Sequence, residues 1–75
     1  MMRVEIAKGR AFISLKDALK LAGAIPTGGF AKAFLQECEV TVNGARETRR
    51  GRKLYPGDAV AWEGRTLTVV GADER

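Results

Sequence analysis

Val4 and Ile6 alternate with Arg3, Glu5 and Lys8, and the Gly9-Arg10 pair follows them. A period of two puts successive side chains on opposite faces of an extended chain, so this segment predicts a short half-buried strand ending in a turn. The period then lengthens. Leu15, Ala18, Leu19 and Ala22 recur at helical spacing with Lys16, Asp17 and Lys20 between them, Ser14 stands where an N-cap belongs, and Gly23 supplies a stop. Ala24-Ile25-Pro26 cannot easily continue that helix, because a proline ring pushes the preceding residue out of helical geometry. Thr27 reads as the cap of a second helix, in which Phe30, Ala31, Phe34, Leu35 and Cys38 share one apolar face and Lys32, Gln36 and Glu37 occupy another.

The second half of the chain alternates again. Val40 and Val42 interleave with Glu39 and Thr41 and run into Asn43-Gly44, the dipeptide suited to the two positive φ angles of a type I′ hairpin turn. Residues 45–48 form the returning arm. Arg49-Arg50-Gly51-Arg52-Lys53 is too charged for core and reads as a loop, and Tyr55-Pro56-Gly57-Asp58 carries a turn signature, with Asp58 closing its own turn. Two more strands, 59–63 and 66–70, flank a Glu63-Gly64 turn, with Trp62 assigned to core or sheet edge, and residues 72–75 are expected to be a flexible tail. The predicted architecture is α+β: two short helices packed on one face of a small antiparallel, partly mixed sheet.

Seventy-five residues suffice for one compact core and not for two, so residues 1–71 are expected to form a single domain, acting as a monomer. With one cysteine and no histidine, an intramolecular disulfide and a structural zinc site lack their ligands, and no cofactor or metal is expected. The segment Met1 to Ile6 carries charge where a signal peptide needs its apolar run, and no stretch approaches the ~18 apolar residues of a membrane span, so a cytoplasmic protein without a membrane partner is expected.

Charge placement says more than its total. Residues 1–43 have a net charge of +2 and residues 58–75 a net of −2, whereas the fourteen residues 44–57 hold +4, equal to the net of the whole chain. Cations concentrated in this way favour a polyanion, because they raise the local potential and release counterions on meeting phosphate.

Leu15-Lys16-Asp17-Ala18-Leu19-Lys20, Thr27-Gly28-Gly29-Phe30-Ala31-Lys32, Val40-Thr41-Val42-Asn43-Gly44 and Pro56-Gly57-Asp58, in that order, resemble the RNA-binding domain named after ribosomal small-subunit protein four. Thr27-Gly28-Gly29 before the second helix and the run from Glu47 to Leu54 after the hairpin are similar to the small free-standing bacterial YbcJ-like members of that family. The resemblance spans about residues 13–60 and implies the alpha-L fold and a surface, built from the second helix and the following basic loop, that docks structured RNA such as ribosomal RNA. The wider family often has arginine at the positions of Ser14 and Gly28, and those two phosphate contacts do not carry over. At Cys38 the broad pattern usually has glycine, which predicts a cost here if that position is left-handed.

Five residues head the candidates for RNA binding: Arg46, Arg49, Arg50, Arg52 and Lys53. The arginine fork makes paired hydrogen bonds to phosphate and stacks on an unpaired base, whereas lysine offers a point charge. The bland alternative is a loop kept charged for solubility; five cations in eight residues with one carboxylate among them weigh against it. Lys16 and Lys20, one turn apart, would form a cationic stripe extended by Lys32, or simply the charged outward face of any small helix. Thr27-Gly28-Gly29 opens a helix where bare amides favour an anion, or is a cap with a flexible entry. Phe30 and Phe34 are read as core. Tyr55 either stacks on an exposed base or packs beneath the loop, and Asn43, with Gly44 at the hairpin tip beside the loop, could touch RNA although its first duty is the turn.

No Gly-Lys-Ser/Thr follows the glycines at P-loop spacing, and no pair of carboxylates has an acid, base or nucleophile partner. The expectation is a non-catalytic module with no small-molecule substrate that binds structured RNA, ribosomal RNA or another folded RNA, recognising mainly shape and backbone. Its strongest rival is a protein-interaction module whose basic loop docks an acidic surface of a ribosome-associated factor or enzyme, and a weaker one is a small enzyme or accessory subunit.

Overall fold

The computed structural model describes residues 2–72, and the expected tail beyond 72 lies outside them. In chain order the elements are β1 (Met2–Glu5), β2 (Ile13–Ser14), α1 (Leu15–Leu21), a 3₁₀ turn (Gly28–Phe30), α2 (Ala31–Glu37), β3 (Thr41–Val42), β4 (Ala45–Arg46), β5 (Lys53–Leu54), β6 (Ala59–Trp62) and β7 (Arg65–Val70). The main sheet has the order β1-β7-β6-β3-β4, with β1 parallel to β7 and every other pairing antiparallel. The α+β expectation of two helices on a partly mixed sheet is met.

Register places Val42 beside Val60, Val60 beside Leu67 and Val4 beside Val69, so two adjacent rows of mostly β-branched and leucine side chains cover the inner face of the sheet. Onto it pack Leu15, Ala18 and Leu19 of α1 and Ala31 and Leu35 of α2, closed by Ile25, Val40, Leu54 and Trp62. Trp62, on the central strand β6, is core and not sheet edge. Helices of seven residues are marginal alone in water, so α1 and α2 persist because this face is buried. Among the described residues no helix is long and apolar enough to cross a membrane.

The helix ends follow chemistry legible in the chain. Ser14 Oγ accepts from the Asp17 amide at 3.3 Å, and Gly23 takes the left-handed φ of 80° past the end of α1. Asn43 and Gly44 have φ of 53° and 87°, the pair of positive angles that a type I′ turn demands.

Three expectations are corrected, a conditional one lapses, and one sheet is new. Thr27 opens a 3₁₀ turn and not α2, makes no side-chain cap, and leaves Phe30 as the residue preceding α2. A 3₁₀ turn advances three residues per turn in place of 3.6, which shifts the phase and swings Phe30 off the stripe of Ala31 and Leu35. Phe30 is therefore 56% exposed and not core, while Phe34 packs half-buried against it. The strand of the returning arm covers only Ala45–Arg46, and one further bond, from the Glu47 amide to the Val40 carbonyl at 2.9 Å, ends its pairing short of Thr48. Cys38 is extended, with φ of −107°, so the feared left-handed cost does not arise. A second sheet, β2 against β5, has no counterpart in the expected order of elements.

Candidate nucleic-acid interface

The basic loop leaves β4 and returns through β5, and both of its ends are tied. Leu54 is fully buried and pairs with Ile13, which joins the C-terminal end of the loop to the strand leading into α1. The amides of Leu15 and Lys16 donate to the carbonyls of Arg52 (2.8 Å) and Arg50 (3.0 Å). The first amides of a helix have no partner within it. Here the loop supplies their acceptors, which fixes the loop against α1.

Glu47 organises the interior of the loop. The residue is 6% exposed, a burial that would be costly for an unpartnered carboxylate. Its Oε2 accepts from the amides of Thr48 (3.1 Å) and Arg49 (3.0 Å) and from Arg49 Nε (3.0 Å), and its Oε1 accepts from Arg49 Nη2 (3.1 Å) and Arg52 Nη1 (2.8 Å). The hydrogen bonds from the Arg49 side chain, more than offsetting the opposing effect of burial and helped by the Arg49 amide and Arg52, lower the Glu47 pKa to about 2. The same contact with Glu47 pushes the Arg49 guanidinium further up.

Two of the five candidate cations are thus committed to a carboxylate below them without being hidden by it. The Arg49 side chain remains 73% exposed and that of Arg52 34%. Coulomb attraction falls with distance, so a phosphate ~4 Å from a guanidinium with a carboxylate ~8 Å behind it keeps about half the pull of the bare cation. In exchange the guanidinium edges are aimed, and less side-chain freedom is lost on contact. Arg49, Gly51, Arg52 and Lys53 line an open groove.

The other candidates are not all gathered at this groove. Arg50 is exposed, and among the described residues its side chain makes no ion pair or hydrogen bond. Arg46 is exposed on β4. Neighbours in an extended chain point to opposite faces, so the Arg46 side chain departs on the side away from Glu47. A Cβ added to Gly28 would lie 3.8 Å from Lys16 Cδ, so the Lys16 side chain runs along the bare backbone of Thr27-Gly28-Gly29, on the helix whose amides hold the loop. Lys16 thus connects the glycine turn, through its side chain, with the loop that its amide holds. Lys20 instead lines a depression with Glu5, Arg10 and Asp17, and Lys32 is exposed on α2 without an ion pair among the described residues.

Asn43 is occupied by structure. Its Nδ2 donates to Asp58 Oδ1 (3.1 Å), its Oδ1 accepts from the Ala59 amide (2.9 Å), and Asp58 Oδ2 accepts from the Tyr55 amide (2.8 Å). This fastens the hairpin tip to the turn after the loop, and Asp58 closes its own turn as expected. Tyr55 is exposed and does not lie beneath the loop.

Sequence reasoning missed three residues here. Glu47 counted only as a dilution of the positive charge, although a carboxylate two and five residues from arginines is a signal for a shared ion pair. Arg10 and Phe12 were the other two: the Phe12 ring takes the Lys53 ammonium 4.9 Å from its centroid and the Arg10 guanidinium 5.8 Å from it.

Two helices on a mixed sheet are the arrangement of a small RNA-binding domain class, and the S4 domain family model matches residues 4–70: the chain belongs to the S4 domain family. Among curated relatives, it is 58% identical over 52 residues to the "Probable ribosome maturation protein RlbA" of Bacillus subtilis (strain 168), covering 69% of this chain and 73% of that protein. It is 40% identical over 58 residues to the "Putative RNA-binding protein YbcJ" of Escherichia coli (strain K12), covering 77% and 83% respectively. The solution structure of YbcJ from E. coli, described as revealing an alfaL motif involved in RNA-binding, superposes with a TM-score of 0.67 at 36% identity over 93% of this chain and 87% of that one. The resemblance seen in the sequence therefore holds over more of the chain than the segment that first carried it.

Proposed function

We propose that this chain is a non-catalytic module that docks structured RNA, ribosomal RNA foremost, through the loop 46–53. The observation that carries the reading is the Glu47 clamp, which holds Arg49 and Arg52 outward beside Arg50 and Lys53 on a loop fastened to α1. Lys16 and the glycine turn at Thr27–Gly29 extend the same surface. Such a surface suits the regularly spaced phosphates of a folded RNA, where shape and backbone are read and sequence is not. The relatives' names support the reading: one is the "Putative RNA-binding protein YbcJ" and another the "Probable ribosome maturation protein RlbA".

Binding to ribosomal RNA fragments across a salt series tests the reading. Neutralising ~4–5 phosphates gives a logarithmic salt slope of roughly −3 to −4. The Arg49→Ala/Arg50→Ala double variant should bind more weakly with a shallower slope while remaining folded. Wild-type affinity and slope in that variant would overturn the assignment, and a cellular complex that survives excess purified RNA would transfer the loop to an acidic protein partner.

A further inference from the structure

The ladder between β2 and β5 builds a second surface beside the loop. Its register pairs Ile13 with Leu54 and Ser14 with Lys53, and carrying that register one step outward sets Phe12 opposite Tyr55. Leu54 is fully buried, so alternation turns Leu54 and Ile13 inward and Phe12, Ser14, Lys53 and Tyr55 to the other face. The contacts agree. The Phe12 and Tyr55 ring centroids lie 6.1 Å apart with planes tilted by 56°, and the charged ends of Lys53 and Arg10 lie 4.9 and 5.8 Å from the Phe12 centroid.

Tyr55 is the ring available to a ligand. It is 48% exposed, whereas Phe12 is half-buried behind it and engaged by the two cations. Its backbone is fixed: the Tyr55 amide donates to Asp58 Oδ2 at 2.8 Å, its carbonyl accepts from the Asp58 amide at 3.0 Å, and Pro56 restricts it further. A ring held in water on a rigid backbone loses little freedom when a flat group stacks on it. The two cations on the adjoining Phe12 ring put positive charge next to this platform, which selects a flat group that carries negative charge, the chemistry of a nucleotide. Lys53 also lines the groove with Arg49 and Arg52, so the two surfaces share that residue.

We propose that Tyr55, backed by Phe12 and flanked by Arg10 and Lys53, is a stacking subsite for an unpaired nucleotide of the RNA held by the loop. The proposal rests on the RNA-binding reading above. A base within a helix has both faces covered by its neighbours, so only a bulged, looped or terminal nucleotide can use the ring. Stacking on one ring contributes a factor of roughly 5–150 in affinity, too little to retain a free nucleotide, so the base must be tethered to RNA that the loop already grips.

Two probes decide the matter: an RNA hairpin with one unpaired adenosine in its stem, and its fully paired counterpart. The wild type should prefer the bulged hairpin by roughly fivefold or more. Tyr55→Ala should erase that preference while leaving affinity for the paired hairpin and its salt dependence in place, Tyr55→Phe should retain it, and Arg10→Ala should reduce it. In Tyr55→Trp, the bulged hairpin should quench the new indole, while Trp62 is buried and contributes little change. Equal wild-type affinity for the two hairpins, or a preference that survives Tyr55→Ala, overturns the subsite and leaves the RNA-binding reading standing. Failure of the wild type to bind either hairpin or ribosomal RNA removes both.

Discussion

Arg52 Nη1 donates to the carboxylate of Glu47 at 2.8 Å, and the acceptor is nearly buried while the donor's side chain reaches the surface. The one acid of the basic loop therefore lies under the cations, where it binds their inner edges and leaves outer edges to solvent. Glu47→Ala should destabilise the domain by about 1.5–3 kcal/mol, the range for hydrogen bonds to a charged group. Urea unfolding measures this. Wild-type stability in the variant would show that the loop holds its shape without the carboxylate.

The depressed Glu47 pKa fixes a pH window. A carboxyl whose pKa falls from an ordinary 4.5 to about 2 on folding favours the folded state above 4.5, and that contribution disappears as pH falls through about 2. The stability gap between wild type and Glu47→Gln should therefore be constant above about pH 5 and narrow steadily between about 4.5 and 2. Paired chemical denaturation curves over that range check the sign. A gap that widens toward acid would contradict the ion-pair assignment.

Much of this geometry could be seen in the chain because local chemistry dictated it. Ser14 caps, Gly23 stops and Asn43-Gly44 turns for reasons contained within four residues of each. The basic loop was equally legible as a charge cluster. What escaped was long-range: the β2–β5 ladder joins residues forty apart in sequence, and its two-residue strands leave no alternating pattern to detect. Glu47 escaped because a carboxylate is expected in solvent: the hairpin register sets it across from buried Val40, on the inner face, and its burial there is decided by the arginines that fold over it. Phe30 misled because one 3₁₀ turn changed the phase of an otherwise sound helical stripe.

Asn43 and Asp58 should behave as one structural unit and not as RNA contacts. Asn43→Ala loses the bonds to Asp58 and Ala59 and places alanine at a φ of 53°, an unfavourable region for a residue with Cβ. A loss of about 1–2 kcal/mol is expected, with Asp58→Ala similar and the double variant less than additive by about 0.5 kcal/mol or more. Thermal unfolding of the cycle reads this. Weakened RNA binding with unchanged stability in Asn43→Ala would reassign the hairpin tip to the interface.

Ser14→Ala should be mild. The cap bond is long at 3.3 Å, and the two amides ahead of Asp17 are already held by the loop carbonyls. A cost near the lower end of the N-cap range, about 0.5–1 kcal/mol, is expected in urea unfolding. A larger cost would mean that Ser14, and not the loop, secures the start of α1.

Arg50 and Arg52 separate binding from folding. The Arg50 side chain makes no ion pair among the described residues, and only its backbone carbonyl, which a substitution keeps, holds the Lys16 amide. Arg50→Ala should therefore leave the unfolding midpoint unchanged while weakening binding to every structured RNA and reducing the salt slope by about one, the signature of a lost phosphate contact. Arg52→Ala removes a hydrogen bond to a buried carboxylate and should lower stability by about 1–2 kcal/mol in addition to weakening binding. Measuring both variants by unfolding and by salt-dependent titration against the same ribosomal RNA fragment separates the two effects. If Arg50→Ala proved the destabilising one and Arg52→Ala the neutral one, the division of labour built on Glu47 would be wrong, and the loop would have to be held by contacts other than those to its own carboxylate.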